Sequence, residues 1–319
     1  MALAILRHFR SWFLDFGLKR PWSKILSSFL FSGVFLFLAE TAWTDFGRSK
    51  GELIYPVGVG VDSKGNVYIS EYGNDRIQVF DENAEFLRTW GTYGHGLGQF
   101  DEPSGLALDQ QGNVYVCDTE NHRVLKFDSQ GKYLMSIGSF GSEPGQFNEP
   151  YGVAVNRQGN IFVTDRQNDR VQVFDLAGNL ILSFGSPGMD RGQFDEPTGI
   201  AIEKSGNVLV VNTGNSQVQR FSSDGKFLMA FGTWGDREGE FSTPTAVAAG
   251  PTGNIYVLDT GNDRFQEFDS TGSFLSTWGQ TGKNPREFRF PLGLACDHQG
   301  NVFVIDTGNH RIQIFPPPP

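Results

Sequence analysis

From residue 56 onwards the chain alternates apolar and polar positions in short runs, each closed by Gly, Asn or Asp. Between Pro103 and Phe147 the runs read SGLALD, NVYVCD, RVLKF and YLMSIG, separated by QQG, TENH and DSQGK, and a Gly-rich stretch then ends in GQF. Period-two alternation rich in Val, Tyr, Phe and Leu between such turns predicts a four-stranded antiparallel meander. Its strands are lettered a to d in chain order. The set recurs. Gly-Asn pairs begin at Gly65, Gly112, Gly159, Gly206, Gly253 and Gly300, every interval being 47 residues. Pro56, Pro103, Pro150, Pro197, Pro244 and Pro291 keep the same spacing, as do Asn74, Asn121, Asn168, Asn215, Asn262 and Asn309.

One repeat architecture therefore fills residues 40–319, and the length is not that of two ordinary domains. A lone sheet of this kind cannot cover both faces, so the copies must pack on one another. Six four-stranded sheets arranged radially form a β-propeller, which leaves only short, protected edges. The last copy stops a strand early, at RIQIF followed by four prolines, which cannot donate ladder hydrogen bonds. Stepping back one repeat from FLRTWG (86–91) reaches AETAWT (39–44), with Trp43 aligned to Trp90. The sequence thus predicts that an N-terminal strand supplies strand d of the last blade and closes the ring.

The core pattern P-x-G-[IVL]-A-[VIL]-D…G-N-[VI]-[YF]-V-x-D-T-G-N-x-R-[VI]-Q-x-F resembles the NHL repeat over about residues 40–315. The resemblance implies an all-β, six-bladed propeller. For function it implies a choice, because the family includes protein-interaction and RNA-binding domains of tripartite-motif ubiquitin ligases, bacterial sensor ectodomains and a peptide-amidating lyase. The first expectation is a protein- or peptide-binding scaffold or sensor ectodomain without catalysis or cofactor. The alternative is an enzyme of the amidating-lyase or lactonase type, with Ca or Zn in the channel. The lyase needs a histidine-lined metal channel, and His8, His95, His122, His298 and His310 do not map onto such a set.

Strand b ends in Glu71, Asp118, Asp165, Asn212, Asp259 and Asp306, and strand c begins with Arg76, Arg123, Arg170, Gln217, Arg264 and Arg311. In the fourth copy both charges disappear together. Joint loss predicts a physical pair, read as a charge-assisted clamp on each turn because active sites are singular and this motif is repeated. The d–a loops behave differently. Their frames are constant, but their tips carry Tyr93 and His95, Phe140, Met189 and Arg191, Trp234 and Arg237, and Lys283 and Arg286. Variable aromatic and charged groups on a fixed scaffold suit a binding face; unselected drift of the tips is the competing reading. Glu102, Glu149 and Glu196, each before a proline, are placed at the channel rim, as an acidic attractor or a solvated edge.

Charge narrows the partners. Residues 1–39 carry Arg7, Arg10, Lys19, Arg20 and Lys24 against Asp15. The rest of the chain holds 21 basic and 35 acidic residues, a net of −14 out of the formal −10 for the whole. Such a surface repels phosphate backbones and disfavours nucleic acid. Cys117 and Cys296 fall in blades two and six, too far apart for a disulfide, and are expected as buried thiols. Residues 25–39, ILSSFLFSGVFLFLA, are uncharged and follow a basic flank (1–24) that can be drawn as an amphipathic helix along Leu6, Phe9, Phe13 and Phe16. An uncleaved single-pass anchor would place the propeller on the periplasmic or extracellular side, its loop face away from the bilayer. A cleaved signal peptide would make it secreted, and a misassigned start is the third option.

Overall fold

The computed structural model describes residues 42–43 and 46–317. They form six four-stranded antiparallel sheets. In blade 1 strands a to d are Pro56–Val61, Val67–Glu71, Arg76–Phe80 and Phe86–Trp90. The same four elements recur every 47 residues through blade 5, which ends with Phe274–Trp278. Blade 6 is built from Gly293–Cys296, Val302–Asp306 and Arg311–Phe315. Beside it lies the two-residue strand Ala42–Trp43, with Ala42 opposite Gln313 and Trp43 opposite Ile312. In blade 1 Trp90, one repeat after Trp43, pairs with Ile77, the repeat equivalent of Ile312, so the register is the same. The remaining residues of AETAWT, the basic segment 1–24 and the expected anchor 25–39 lie outside the described residues.

The a strands contact one another in a closed ring around the centre, the first against the last included. Their glycines permit this approach. A Cβ on Gly152 would stand 2.3 Å from the Thr198 carbonyl oxygen of the next blade, and one on Gly105 would stand 2.5 Å from that of Tyr151. Strand a also bulges after its proline: Pro103 pairs with Asp118, but Leu106 with Val116. Nothing in the residue pattern announces that irregularity.

Strand b departs from the expected alternation. All five of its residues are buried in every blade, because both faces of its sheet are covered by neighbours. Strand d keeps the alternation, one side packed and the other facing solvent. The core is divided into six clusters, one at each junction between successive blades. Tyr68, Ile77 and Val79 of blade 1 meet Val114, Val116 and Phe127 of blade 2. At the last junction Phe303, Ile305 and Ile312 of blade 6 meet Leu53, Val59 and Val67 of blade 1. Each fully buried Val, Ile or Phe contributes roughly 1.5–3 kcal/mol, so the seam between the two ends of the repeat array is packed like the other five.

Candidate binding surface

The d–a loops and the b–c turns emerge on one face, and buried carboxylates fix the loops from below. In blade 2 the fully buried Asp118 accepts hydrogen bonds from Asp101 N–H at 2.7 Å, Asn121 Nδ2 at 2.9 Å and Arg123 Nε at 2.7 Å. The Arg123 guanidinium then donates to the loop carbonyls of His95, Gly96 and Gln99. Asn121 also reaches the Gly94 carbonyl. The corresponding ion pairs are Glu71–Arg76 at 2.5 Å and Asp165–Arg170, Asp259–Arg264 and Asp306–Arg311, each at 2.7 Å. The pairs lie within one blade. What they hold is the d–a loop leading into that blade as well as the b–c turn, a wider reach than the sequence suggested. Burial pushes the Asp118, Asp165, Asp259 and Asp306 carboxyls above their ordinary value, outweighing the hydrogen bonds and guanidinium groups that pull them down.

Blade 4 reaches the same end without charge. Asn212 Oδ1 accepts from Asp195 N–H at 2.8 Å, and its Nδ2 donates to the Gln193 carbonyl at 3.1 Å. That carbonyl is the counterpart of the one Arg123 takes in blade 2. A single amide, donor and acceptor at once, covers essential parts of both roles, which accounts for the coupled replacement of acid and Arg.

A second device, unread in the sequence, ties neighbouring blades together. Glu102, Glu149 and Glu196 adopt left-handed φ angles of 57°, 55° and 50°. Their N–H groups donate to Asp75 Oδ1, His122 Nδ1 and Asp169 Oδ1 of the preceding blades, which are left-handed too. The same bond spans the last seam, from Tyr55 N–H to His310 Nδ1 at 3.1 Å. Left-handed backbone at a non-glycine residue is strained. Glu102, Glu149 and Glu196 are thus structural through their backbone. Glu149 pairs with Arg166, whose guanidinium also lies 5.6 Å from the Tyr151 ring centre. Blade 3 alone has Arg where the other blades carry Thr or Tyr72.

The loop tips stand out in solvent. Tyr93 is 64% exposed, Phe140 66%, Met189 81% and Trp234 80%. His95, Arg191, Arg237, Lys283 and Arg286 are exposed on the same loops. Tyr93, Phe140 and Trp234 occupy one repeat position, each bridging to the buried Phe of its own loop: Phe100, Phe147 and Phe241. Phe140 leans on His122, with ring centres 4.7 Å apart. Two exposed members escaped the sequence reading: Phe46, at the equivalent position in the first loop, and Leu97. The repeat register would have found Phe46.

Charge on this face is uneven. Asp101, Glu102, Glu120, Glu143, Glu149, Asp195 and Glu196 gather on the loops and turns of blades 2 to 4, against Arg166 and Arg191. Blades 6 and 1 carry Lys283, Arg286, Arg289, Arg48 and Lys50 against Glu52, Asp75 and Glu287, and blade 5 carries Asp236, Glu238, Glu240 and Asp263 against Arg237. Burial raises the Glu120 carboxyl, and the neighbouring Glu149 and Asp101 charges add to it. Both thiols are free: Cys117 is buried, and burial lifts the half-buried Cys296 to about 12. Among the described residues no three His, Cys, Asp or Glu side chains are grouped to hold a metal ion, and no helix is long and apolar enough to cross a membrane.

Fold and face together define a six-bladed propeller that presents loops of variable chemistry on a rigid frame. The chain belongs to the NHL-repeat family: the NHL repeat matches residues 53–80, 100–127, 147–174, 194–221 and 288–315. Blade 5 lies outside those matches and folds like the rest. No curated protein matches the sequence. Among solved structures, a catalytically inactive virginiamycin B lyase from Staphylococcus aureus, solved with quinupristin, has a TM-score of 0.61 at 14% identity, covering 87% of this chain and 88% of that one. A gluconolactonase from Xanthomonas campestris gives 0.63 at 15%, covering 88% and 96%. A protein of unknown function from Bacteroides thetaiotaomicron gives 0.66 at 18%, covering 86% and 72%. At these identities the likeness is one of fold.

Proposed function

We propose that this protein is a membrane-tethered propeller that binds a protein or peptide on its d–a loop face and performs no chemistry of its own. One contrast carries the reading. The loop frames are fixed by buried clamps, whereas the tips they support are exposed and differ from blade to blade. A surface of that kind is preorganised, so little ordering entropy opposes binding. The tether would be residues 25–39, with the propeller on the exoplasmic side. The strand at Ala42–Trp43 would belong to a longer N-terminal latch that completes blade 6. The test uses the full chain, in membranes, as bait for co-purification. Wild type is expected to retain a partner that the Tyr93→Ala/Phe140→Ala/Trp234→Ala variant loses while keeping its melting temperature. Equal recovery by both would refute the loop face.

The likeness to a lyase and a lactonase supports a second reading, an enzyme working through a channel-bound divalent metal. The described residues do not fit a resident metal, since no set of donors converges. Stoichiometric Ca or Zn that survives dialysis would favour the enzyme.

A further inference from the structure

We propose that the partner engages this face with a linear segment bearing Lys or Arg side chains, seated across the loops of blades 2 to 4. The inference rests on the loop-face reading and names its chemistry. Blades 2 to 4 combine the two surfaces that such a segment needs. Tyr93, Leu97, Phe140 and Met189 are large apolar groups held in water, between 64% and 81% exposed. Exposed apolar surface on a rigid frame marks interaction sites. On the loops and turns of the same blades Asp101, Glu120, Glu143, Asp195 and Glu196 outnumber the cations Arg166 and Arg191.

Those carboxylates act on one another across blade junctions. Glu120 belongs to blade 2, yet the charge of Glu149 in blade 3 bears on it. Asp169 of blade 3 is likewise raised, by burial first and then by Asp195 and Glu196 of blade 4. Like charges crowded on a partly desolvated surface are relieved by an incoming cation. Arg166 answers only part of this, being paired with Glu149.

Depth argues for a flexible segment over a flat protein surface. The Glu149 side chain is 27% exposed, well below the tips around it. A flat partner resting on Tyr93, Phe140 and Met189 would meet the exposed Glu120, Glu143 and Asp195 but not the half-buried Asp101, Glu149 and Glu196. A Lys or Arg side chain can lay its hydrocarbon stem along the aromatic tips and set its charge lower down, with a further cation–π contribution from Tyr93 or Phe140. Lys283, Arg286, Arg289, Arg48 and Lys50 disfavour the same segment on blades 6 and 1.

Three labelled ten-residue peptides, alternating Leu with Lys, Gln or Glu, test this by fluorescence anisotropy against the full chain. The Lys peptide is expected to bind tightest, and to weaken about tenfold or more, roughly 1.4 kcal/mol, in both Glu120→Gln/Glu196→Gln and Tyr93→Ala/Phe140→Ala. Glu82→Gln/Glu85→Gln, on the opposite face, should leave it unchanged. If all three peptides bind alike and the aromatic variant alone abolishes binding, the cationic partner is overturned and the loop face stands. If the opposite-face variant weakens the Lys peptide as much as the loop-face variants do, or if no peptide binds, the proposal falls. The co-purification experiment then decides the loop face separately.

Discussion

Asp165 sits fully covered inside blade 3, with Arg170 Nε at 2.7 Å and the Asn148 N–H at 2.7 Å. Removing the carboxylate strands these donors, which costs roughly 3–5 kcal/mol in a buried pair. Asp165→Ala should therefore lower the urea midpoint strongly. Blade 4 shows which change is tolerated. Asp165→Asn with Arg170→Gln copies its Asn212 and Gln217, and the double variant should cost less than Arg170→Gln alone, which leaves a buried charge unanswered. A double-mutant cycle measures this; simple additivity would contradict the clamp. The pairing was legible because two residues changed together in one copy. Its target was not, because the clamped groups are main-chain carbonyls that any residue supplies. The left-handed Glu102, Glu149 and Glu196 were equally silent, since only their φ angles distinguish them.

Among the elements, strand boundaries were readable almost to the residue, because turn residues recur at a fixed spacing and each strand is short. The burial of strand b on both faces was not, since its residues look the same whether a sheet is covered once or twice. The bulge after each proline also lay beyond the pattern. Strand Ala42–Trp43 belongs to this scale. Its pairing with Gln313 and Ile312 continues the ladder of blade 6, and a few ladder bonds contribute about 1 kcal/mol each. A chain beginning at residue 46 should still fold, because Leu53, Val59 and Val67 pack the seam independently. It should be less stable than one beginning at residue 40 by on the order of 2 kcal/mol, and so melt earlier. Identical melting curves would remove the latch from the account.

For the whole molecule the distinctive junction is the seam where the repeat array meets itself. There His310 Nδ1 accepts from Tyr55 N–H, between the rings of Phe46 and Tyr55, 4.7 Å and 4.6 Å away. Burial, then the nearby Arg289 charge, lowers His310 from 6.5 to about 4. The unfolded chain therefore takes up this proton first as pH falls. The stability that neutral His310 provides is complete above pH 6.5 and is lost as pH drops towards 4. Allowing for its partial exposure, on the order of 2 kcal/mol is at stake. The raised carboxyls of Asp118, Asp165, Asp259 and Asp306 have the opposite sign, favouring the fold as acid protonates them. The difference between wild type and His310→Asn isolates the histidine: that difference should shrink between pH 6.5 and 4, and a constant gap would refute the assignment.

At the same scale, the ring holds six loops on one face, and whether a partner lands there is open to direct observation. Hydrogen–deuterium exchange on the full chain, with and without its co-purified partner, maps the contact. Protection should appear in the d–a loops, above all within 91–102, 138–149 and 185–196, and leave the c–d turns near Glu82, Asp128 and Asp175 unchanged. Protection confined to those turns or to the outer strands would contradict a loop-face receptor.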